Sequence, residues 1–262
     1  MNQTWTLTGL EFVVAWETLK ENLLPRPFVF RSRTHWYDDF LREKREVRER
    51  LQSTLDTAVW EALEVAARPD IRMIIRGLHG DIRSDPTGSI RMHAVRYGGS
   101  GYVLTQLPGD SPDDGGEFTI TECDPFALAD GVVAALPEIK SGQKSQIQLP
   151  SNADGADRMV HDDSMLWDSF DDPVGRAGQE FLQAAFTGLG GIEITQGTSR
   201  FGPRGRVTRV LEWRDVVDDG RYLVVHDNPP YATGVDAKRM VTLINNEIAV
   251  VVQAIKDERA TL

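Results

Sequence analysis

His79-Gly80-Asp81 is the first candidate for chemistry in this sequence, because these side chains could begin a metal site or an acid–base pair. His93 could join them as a third group. A metal site needs further His or Cys ligands at short spacing, and none follows here. The other histidines, His35, His161 and His226, are scattered along the chain. A small hydrolase or ligand-binding enzyme built on His79, Asp81 and His93 is therefore kept only as an alternative hypothesis.

The glycine-rich segments and the single cysteine do not supply a catalytic motif either. Gly98–Gly101 joins two predicted strands, whereas a phosphate-binding loop leads into a helix. Gly188–Gly191 follows a predicted helix and is typical of a helix stop. Cys123 is the only cysteine, which excludes an internal disulfide and predicts a small buried side chain. We predict no catalytic residue, no bound metal and no cofactor.

Two parts of the chain repeat one order of predicted elements: strand, turn, strand, aspartate, apolar helix. The first copy begins with Ser89–Tyr97 and leads to Asp124; the second begins with Arg206–Asp215 and leads to Asp236. Aspartate before a helix accepts hydrogen bonds from the free amides of the first turn. The repeat predicts a pseudo-symmetric scaffold, which suits binding better than catalysis.

The clearest break in composition is at residues 141–173, which have few aliphatic side chains and two acidic pairs, Asp162-Asp163 and Asp171-Asp172. These pairs lack the alternating ligands and the terminal glutamate of a calcium loop. The segment predicts an acidic linker, with one helical turn at 165–170. It joins halves at approximately 1–140 and 174–262 within a single domain.

Further elements follow from hydrophobic periodicity. Phe28–Ser32 predicts an edge strand, Val174–Phe186 a helix and Ile192–Phe201 a strand. The last helix begins after Asp236 and runs to about Asp257. Its core-facing residues are Met240, Ile244, Ile248, Val251 and Ile255. Leu243 and Val250 fall on the flank of that helix, where they either extend the core or meet a partner.

Alternation gives the segment Arg206–Asp215 two distinct faces. One face carries Val207, Arg209, Leu211 and Trp213, and the other carries Arg206, Thr208, Val210 and Arg214. Arginine and tryptophan beside apolar residues are typical of a protein-binding hot spot. The equally weighted alternative is a strand with one core face and one solvated face.

Composition limits the classes of partner. The 262 residues carry a net charge of −11, which argues against nucleic acid or an anionic membrane, because phosphate binding requires a basic surface. No signal-peptide pattern and no apolar run of about 20 residues is evident. We expect a cytoplasmic protein without membrane insertion, either a monomer or a weak homodimer paired through an open sheet edge.

Four stretches carry a further signal: Trp5–Glu17 (WTLTGLEFVVAWE), Leu24–Pro27 (LPRP), Val210–Asp215 (VLEWRD) and Asp219–Val224 (DGRYLV). Together they resemble the EspG family, the ESX (type VII) secretion-associated proteins of actinobacteria. None is a catalytic signature, and their order and spacing agree with the family over nearly the whole chain.

The resemblance implies an α/β (α+β) fold with a central, mostly antiparallel sheet, two flanking helical bundles and quasi-two-fold related halves. It also implies a cytosolic chaperone that binds the apolar tip of PE–PPE-type heterodimeric secretion substrates and keeps them soluble. Family members bind through the sheet, the C-terminal helical bundle and the loop between the second and third strands, here Gly80–Ser89. A scaffold inside the secretion apparatus is a further alternative. The expected contact residues are Ile82, Arg83, Pro86, Arg206, Thr208, Val210, Arg214, Leu243 and Val250.

Overall fold

The computed structural model describes residues 3–19, 23–80, 85–111, 113–150 and 173–260. The helices in these residues are α1 Gly9–Thr18, α2 Tyr37–Thr54, α3 Thr57–Ala67, α4 Leu128–Ala134, α5 Pro173–Gln183 and α6 Ala237–Ala260. The strands are β1 Thr4–Leu7, β2 Ile71–His79, β3 Ser89–Tyr97, β4 Ser100–Pro108, β5 Gly115–Cys123, β6 Ile147–Gln148, β7 Phe186–Gln196, β8 Thr208–Val216, β9 Gly220–Val225 and β10 Tyr231–Gly234.

Within the described residues, the strands form one antiparallel sheet in the order β1-β5-β4-β3-β2-β7-β8-β9-β10-β6. Strands β2 to β5 make one meander and β7 to β10 make a second. The two meanders meet where β2 pairs with β7, in a register that places Ile75 opposite Ile192. The predicted α+β class with a mostly antiparallel sheet is confirmed, and the order of the strands is symmetric about this central pair.

An aspartate and a helix follow each meander, as the repeat predicts. The Asp124 carboxylate accepts a hydrogen bond from the Phe126 amide at 2.8 Å, ahead of α4. The Asp236 carboxylate accepts one from the Arg239 amide at 2.7 Å in the first turn of α6. Both helices pack on the same face of the sheet.

The largest apolar core lies between that face and helices α4 and α6. It joins residues of both meanders, including Met92 and Val103 from the first and Leu211 and Trp213 from the second. The predicted stripe of α6 also packs here, with Met240, Ile244 and Val251 buried and Ile248 and Ile255 partly buried.

The opposite face of the sheet is covered in two separate places. Helices α1, α2 and α3 pack over β3, β4 and β5, with Phe12 stacked on Phe118 at 3.9 Å between ring centroids. Helix α5 packs over β9 and β10, where Phe181 meets Tyr222 edge-on at 5.2 Å. Strands β2, β7 and β8 lie between these two coverings.

The predicted edge strand at Phe28–Ser32 is wrong, since this segment has no strand structure. The side-chain amide of Gln106 takes the place of a neighbouring strand. It accepts from the Val29 N–H at 3.1 Å and donates to the Val29 carbonyl at 2.6 Å. One side chain satisfies these backbone groups, so no ladder forms.

The predicted boundary between helix and strand in the second half is also wrong. Helix α5 ends at Gln183 and β7 already begins at Phe186, so Gly188–Gly191 lies inside a strand and not at a helix stop. A Cβ at Gly190 would lie 2.2 Å from the Trp213 ring, and one at Gly77 would lie 2.3 Å from it. Glycine is required at both positions because the indole occupies that space.

The start of the predicted linker has structure. Residues 147–148 form β6, which pairs with β10, and both Ile147 and Leu149 are buried beside α5. The remaining part, including the acidic pairs and the helical turn at 165–170, lies outside the described residues, and the division into halves and linker stays a prediction. Among the described helices, none combines the length and the apolar character needed to cross a bilayer.

Candidate binding surface

His79 and His93 do not converge on one site. His79 faces the core side of the sheet, where its Nδ1 lies 3.9 Å from the Asp215 carboxylate. His93 faces the opposite side, buried beside Phe28, and its Nδ1–H donates to the Arg26 carbonyl at 2.7 Å. The sheet separates the two rings, so the alternative site built on this pair is wrong; Asp81 lies outside the described residues.

The chemistry of Cys123 and of the acidic residues gives no second site. Burial raises the pKa of the Cys123 thiol to about 11, so the thiol is protonated and unreactive at neutral pH. Among the residues that the structure describes, no three His, Cys, Asp or Glu side chains are grouped as metal ligands.

One side of β2, β7 and β8 forms what we call the open face. It is the side turned away from α4 and α6, and it lies between the helices α1–α3 and helix α5. Its residues are Arg72, Ile74, Arg76, Leu78, Leu189, Gly191, Glu193, Thr195, Thr208, Val210, Glu212 and Arg214. Most are half-buried or exposed, in contrast to the core side of the same strands.

Apolar side chains lie at one end and along the middle of the open face. Leu78 and Leu189 are neighbours across the β2–β7 pair and are half-buried. Leu182 on α5 is 41% exposed, and its carbonyl accepts from the Arg214 guanidinium at 3.2 Å, so it borders the same end. Val210, in the middle of β8, is 41% exposed. Exposed aliphatic side chains on a strand favour burial against a partner.

A group of basic side chains lies at the other end, which we call the basic end: Arg26, Arg72 and Arg206. Two more arginines of the open face, Arg76 and Arg214, lie toward the apolar end. Arg26 forms an ion pair with Glu193 at 3.7 Å. Burial, together with the nearby charge of Arg206, lowers the pKa of Arg72. An arginine pKa remains far above neutrality under such a shift, so Arg72 stays charged beside Arg26, Arg206 and Glu193.

Comparison with known proteins identifies the family. The sequence model of the EspG family matches residues 8–246. The chain belongs to the EspG family. No curated protein sequence matches the chain.

The fold of this EspG-family protein is also found in a solved structure. EspG5 from Mycobacterium tuberculosis, a type VII secretion system chaperone solved in complex with a PE25-PPE41 dimer, superposes with a TM-score of 0.59. The two sequences are 12% identical, and the match covers 96% of each chain. At this identity the likeness establishes the shared fold.

The structure of this EspG-family chain places the predicted contact residues in four locations. Thr208, Val210 and Arg214 lie on the open face, and Arg206 lies at its basic end. Pro86 begins a short 3₁₀ turn that leads into β3. Leu243 packs partly against the core, and Val250, which is exposed, lies on α6 over the other face. Ile82 and Arg83 lie outside the described residues.

Sequence reasoning missed the contributions of β2 and β7 to the open face. A signal was present in β2, where Arg72 and Arg76 are four residues apart and therefore share one face of a strand. The nearly continuous apolar sequence around them concealed this alternation. Arg26 gave no such signal, because it lies in an irregular segment and reaches Glu193 only through the fold.

Proposed function

We propose that this protein is a chaperone that binds the apolar tip of PE–PPE-type helical heterodimers on the open face. It keeps these substrates soluble for type VII secretion. It acts in the cytoplasm and uses no catalytic step, no cofactor and no membrane insertion.

The observation that carries the proposal is the uncovered side of β2, β7 and β8. Exposed Val210 and half-buried Leu78 and Leu189 are apolar positions between the two helical coverings, and we call them the apolar floor. The row Arg76, Gly191 and Glu212 crosses this floor. Covering this floor with a helical tip removes apolar surface from water on both molecules, which drives association without nucleotide.

Family membership and the fold shared with EspG5 support the same function. The EspG5 structure contains a PE25-PPE41 dimer, which is a partner of the proposed kind. The separation of His79 and His93 weakens the enzymatic alternative, because an acid–base pair requires hydrogen-bond distances.

Co-expression with the PE–PPE gene pair encoded nearest to this protein tests the proposal. We expect the heterodimer to be soluble and to co-purify with the chaperone, and to precipitate when the chaperone is omitted. Equal solubility of the heterodimer in both cultures, without a co-purifying complex, would refute the function.

A further inference from the structure

We propose that the basic end recognises carboxylate side chains beside the apolar tip of the partner. The inference rests on the proposed function and adds to it an electrostatic contact between Arg72 and Arg206 and the partner's carboxylates.

The charge at the basic end is opposite to that of the molecule. Arg72 lies near two further arginines, Arg26 and Arg206, and near the carboxylate of Glu193, whereas the whole chain has a net charge of −11. Like charges brought this close without a matching number of acids are unfavourable, so the basic end favours a ligand that carries negative charge. A long polyanion such as nucleic acid is disfavoured because the remaining surface would repel it.

Two of these guanidinium groups have a donor without a hydrogen-bond acceptor in the part of the chain that the structure describes. The Nε atoms of Arg72 and Arg206 are buried and have no hydrogen-bond partner among the described residues. A buried donor without a partner costs free energy, and a guanidinium that turns toward an acceptor on a partner removes that cost. A carboxylate is the natural complement, since the planar guanidinium donates two parallel hydrogen bonds to its two oxygens.

The basic end is close enough to the apolar floor for one partner to cover both. Arg72 is paired across the sheet with Thr195, and Thr195 is paired with Thr208. Thr208 and Val210 are two residues apart on the same face of β8, a separation of about 7 Å. A helical tip seated on Val210 therefore has its side within reach of the arginines.

The test compares two double variants with equal loss of charge. Arg72→Gln/Arg206→Gln removes the proposed contact, and Arg42→Gln/Arg45→Gln removes two exposed arginines of α2 as a control. The probe is the labelled complex of each variant with the PE–PPE heterodimer, purified after co-expression, and its dissociation on dilution gives Kd from about 50 to 500 mM NaCl. We expect the first variant to bind at least about 10-fold more weakly at low salt and to show a flatter salt dependence. The control stays within about twofold.

Two further variants keep the outcome decisive. Arg206→Gln alone tests the contact if the double variant fails to fold, because Arg206 lies before β8 and outside the ladder. Val210→Asp tests the apolar floor separately. If Val210→Asp abolishes binding but the arginine variants bind with wild-type affinity and salt dependence, the inference is wrong and the proposed function stands. If the wild-type chain does not bind the heterodimer, both are wrong.

Discussion

His93 shows how one buried side chain connects the fold to pH. Its Nδ1–H donates to the Arg26 carbonyl, while its Nε2 is buried without a partner among the described residues. Burial lowers the pKa of His93 from 6.5 to about 4. The folded protein thus holds this ring neutral under conditions in which an unfolded chain would protonate it.

This arrangement predicts a loss of stability in weak acid. Between the unfolded pKa of 6.5 and the folded pKa of about 4, the unfolded state binds the proton and the folded state does not. The free energy of unfolding therefore falls as the pH drops through this window, by up to about 3 kcal/mol. We expect His93→Asn, whose amide can donate to the same carbonyl, to lack this contribution when urea unfolding is measured at pH 7, 6, 5 and 4.5. His35→Asn, a change at an exposed histidine, should follow the wild-type profile.

Val210 allows a residue-scale test of which side of the sheet binds the partner. Val210→Asp places a charge in the apolar floor, and we expect the co-purified complex to be lost, or its Kd to rise at least about 100-fold, since an unpaired buried charge is costly. Because the side chain is exposed in the free protein, the free energy of unfolding should change by less than about 1 kcal/mol.

The matched control is Val250→Asp, an exposed valine on α6 over the opposite face. We expect this variant to retain the complex. If binding were lost only in Val250→Asp, the binding site would lie on α6 and not on the open face.

At the scale of elements, Trp213 determines how β2, β7 and β8 fit together. The indole lies against Gly77 of β2 and Gly190 of β7, where no Cβ fits. The glycines lower the strand propensity of β7, but they allow a large buried aromatic side chain to fill the core beneath α6.

Two neighbouring glycines of β7 provide a controlled test. Gly190→Ala brings a methyl group within 2.2 Å of the Trp213 ring, and we expect a loss of about 1–3 kcal/mol in the free energy of unfolding. Gly191→Ala points to the open face, where the nearest atom is the Leu211 carbonyl oxygen at 3.8 Å, and it should change stability by less than about 0.5 kcal/mol. Chemical denaturation followed by fluorescence measures both. If both variants lost the same free energy of unfolding, contact with the Trp213 indole would not be the reason that position 190 requires glycine.

At the scale of the whole molecule, the largest core crosses the boundary between the two meanders. Met92 and Val103 of the first meander share one apolar cluster with Trp213 of the second and Ile244 of α6. The β2–β7 ladder joins the same halves through the backbone. Neither half buries the residues of this largest core without the other, whereas the clusters under α1–α3 and under α5 are each local to one side of the sheet.

We therefore expect the described part of the chain to unfold as one cooperative unit. In urea, the transitions followed by far-UV circular dichroism and by tryptophan fluorescence should have the same midpoint, as two-state unfolding requires. Two separated transitions would show that the halves are independent domains.

Much of the local structure was predictable because it depends on nearby residues. The stripe of α6 repeats at helical spacing, and Asp124 and Asp236 precede their helices by the short distance that capping requires. The alternation in β8 correctly separated Leu211 and Trp213 from Thr208 and Val210. Each of these signals lies within a few residues of the structure it specifies.

The tertiary structure decided what depends on residues far apart in the chain. Gly188–Gly191 lies in a strand, where Gly190 makes room for Trp213. Phe28–Ser32 is not a strand, and Gln106 satisfies the backbone groups of Val29 within it. The basic end exists only because β2 pairs with β7 and β7 with β8. The sequence by itself determined most of the elements, the repeat and the family. The pairing of the strands decided where the open face lies and which charges border it. This pairing closes long loops at a cost in entropy, and the contacts that offset the cost join residues far apart in the chain, which no local pattern encodes.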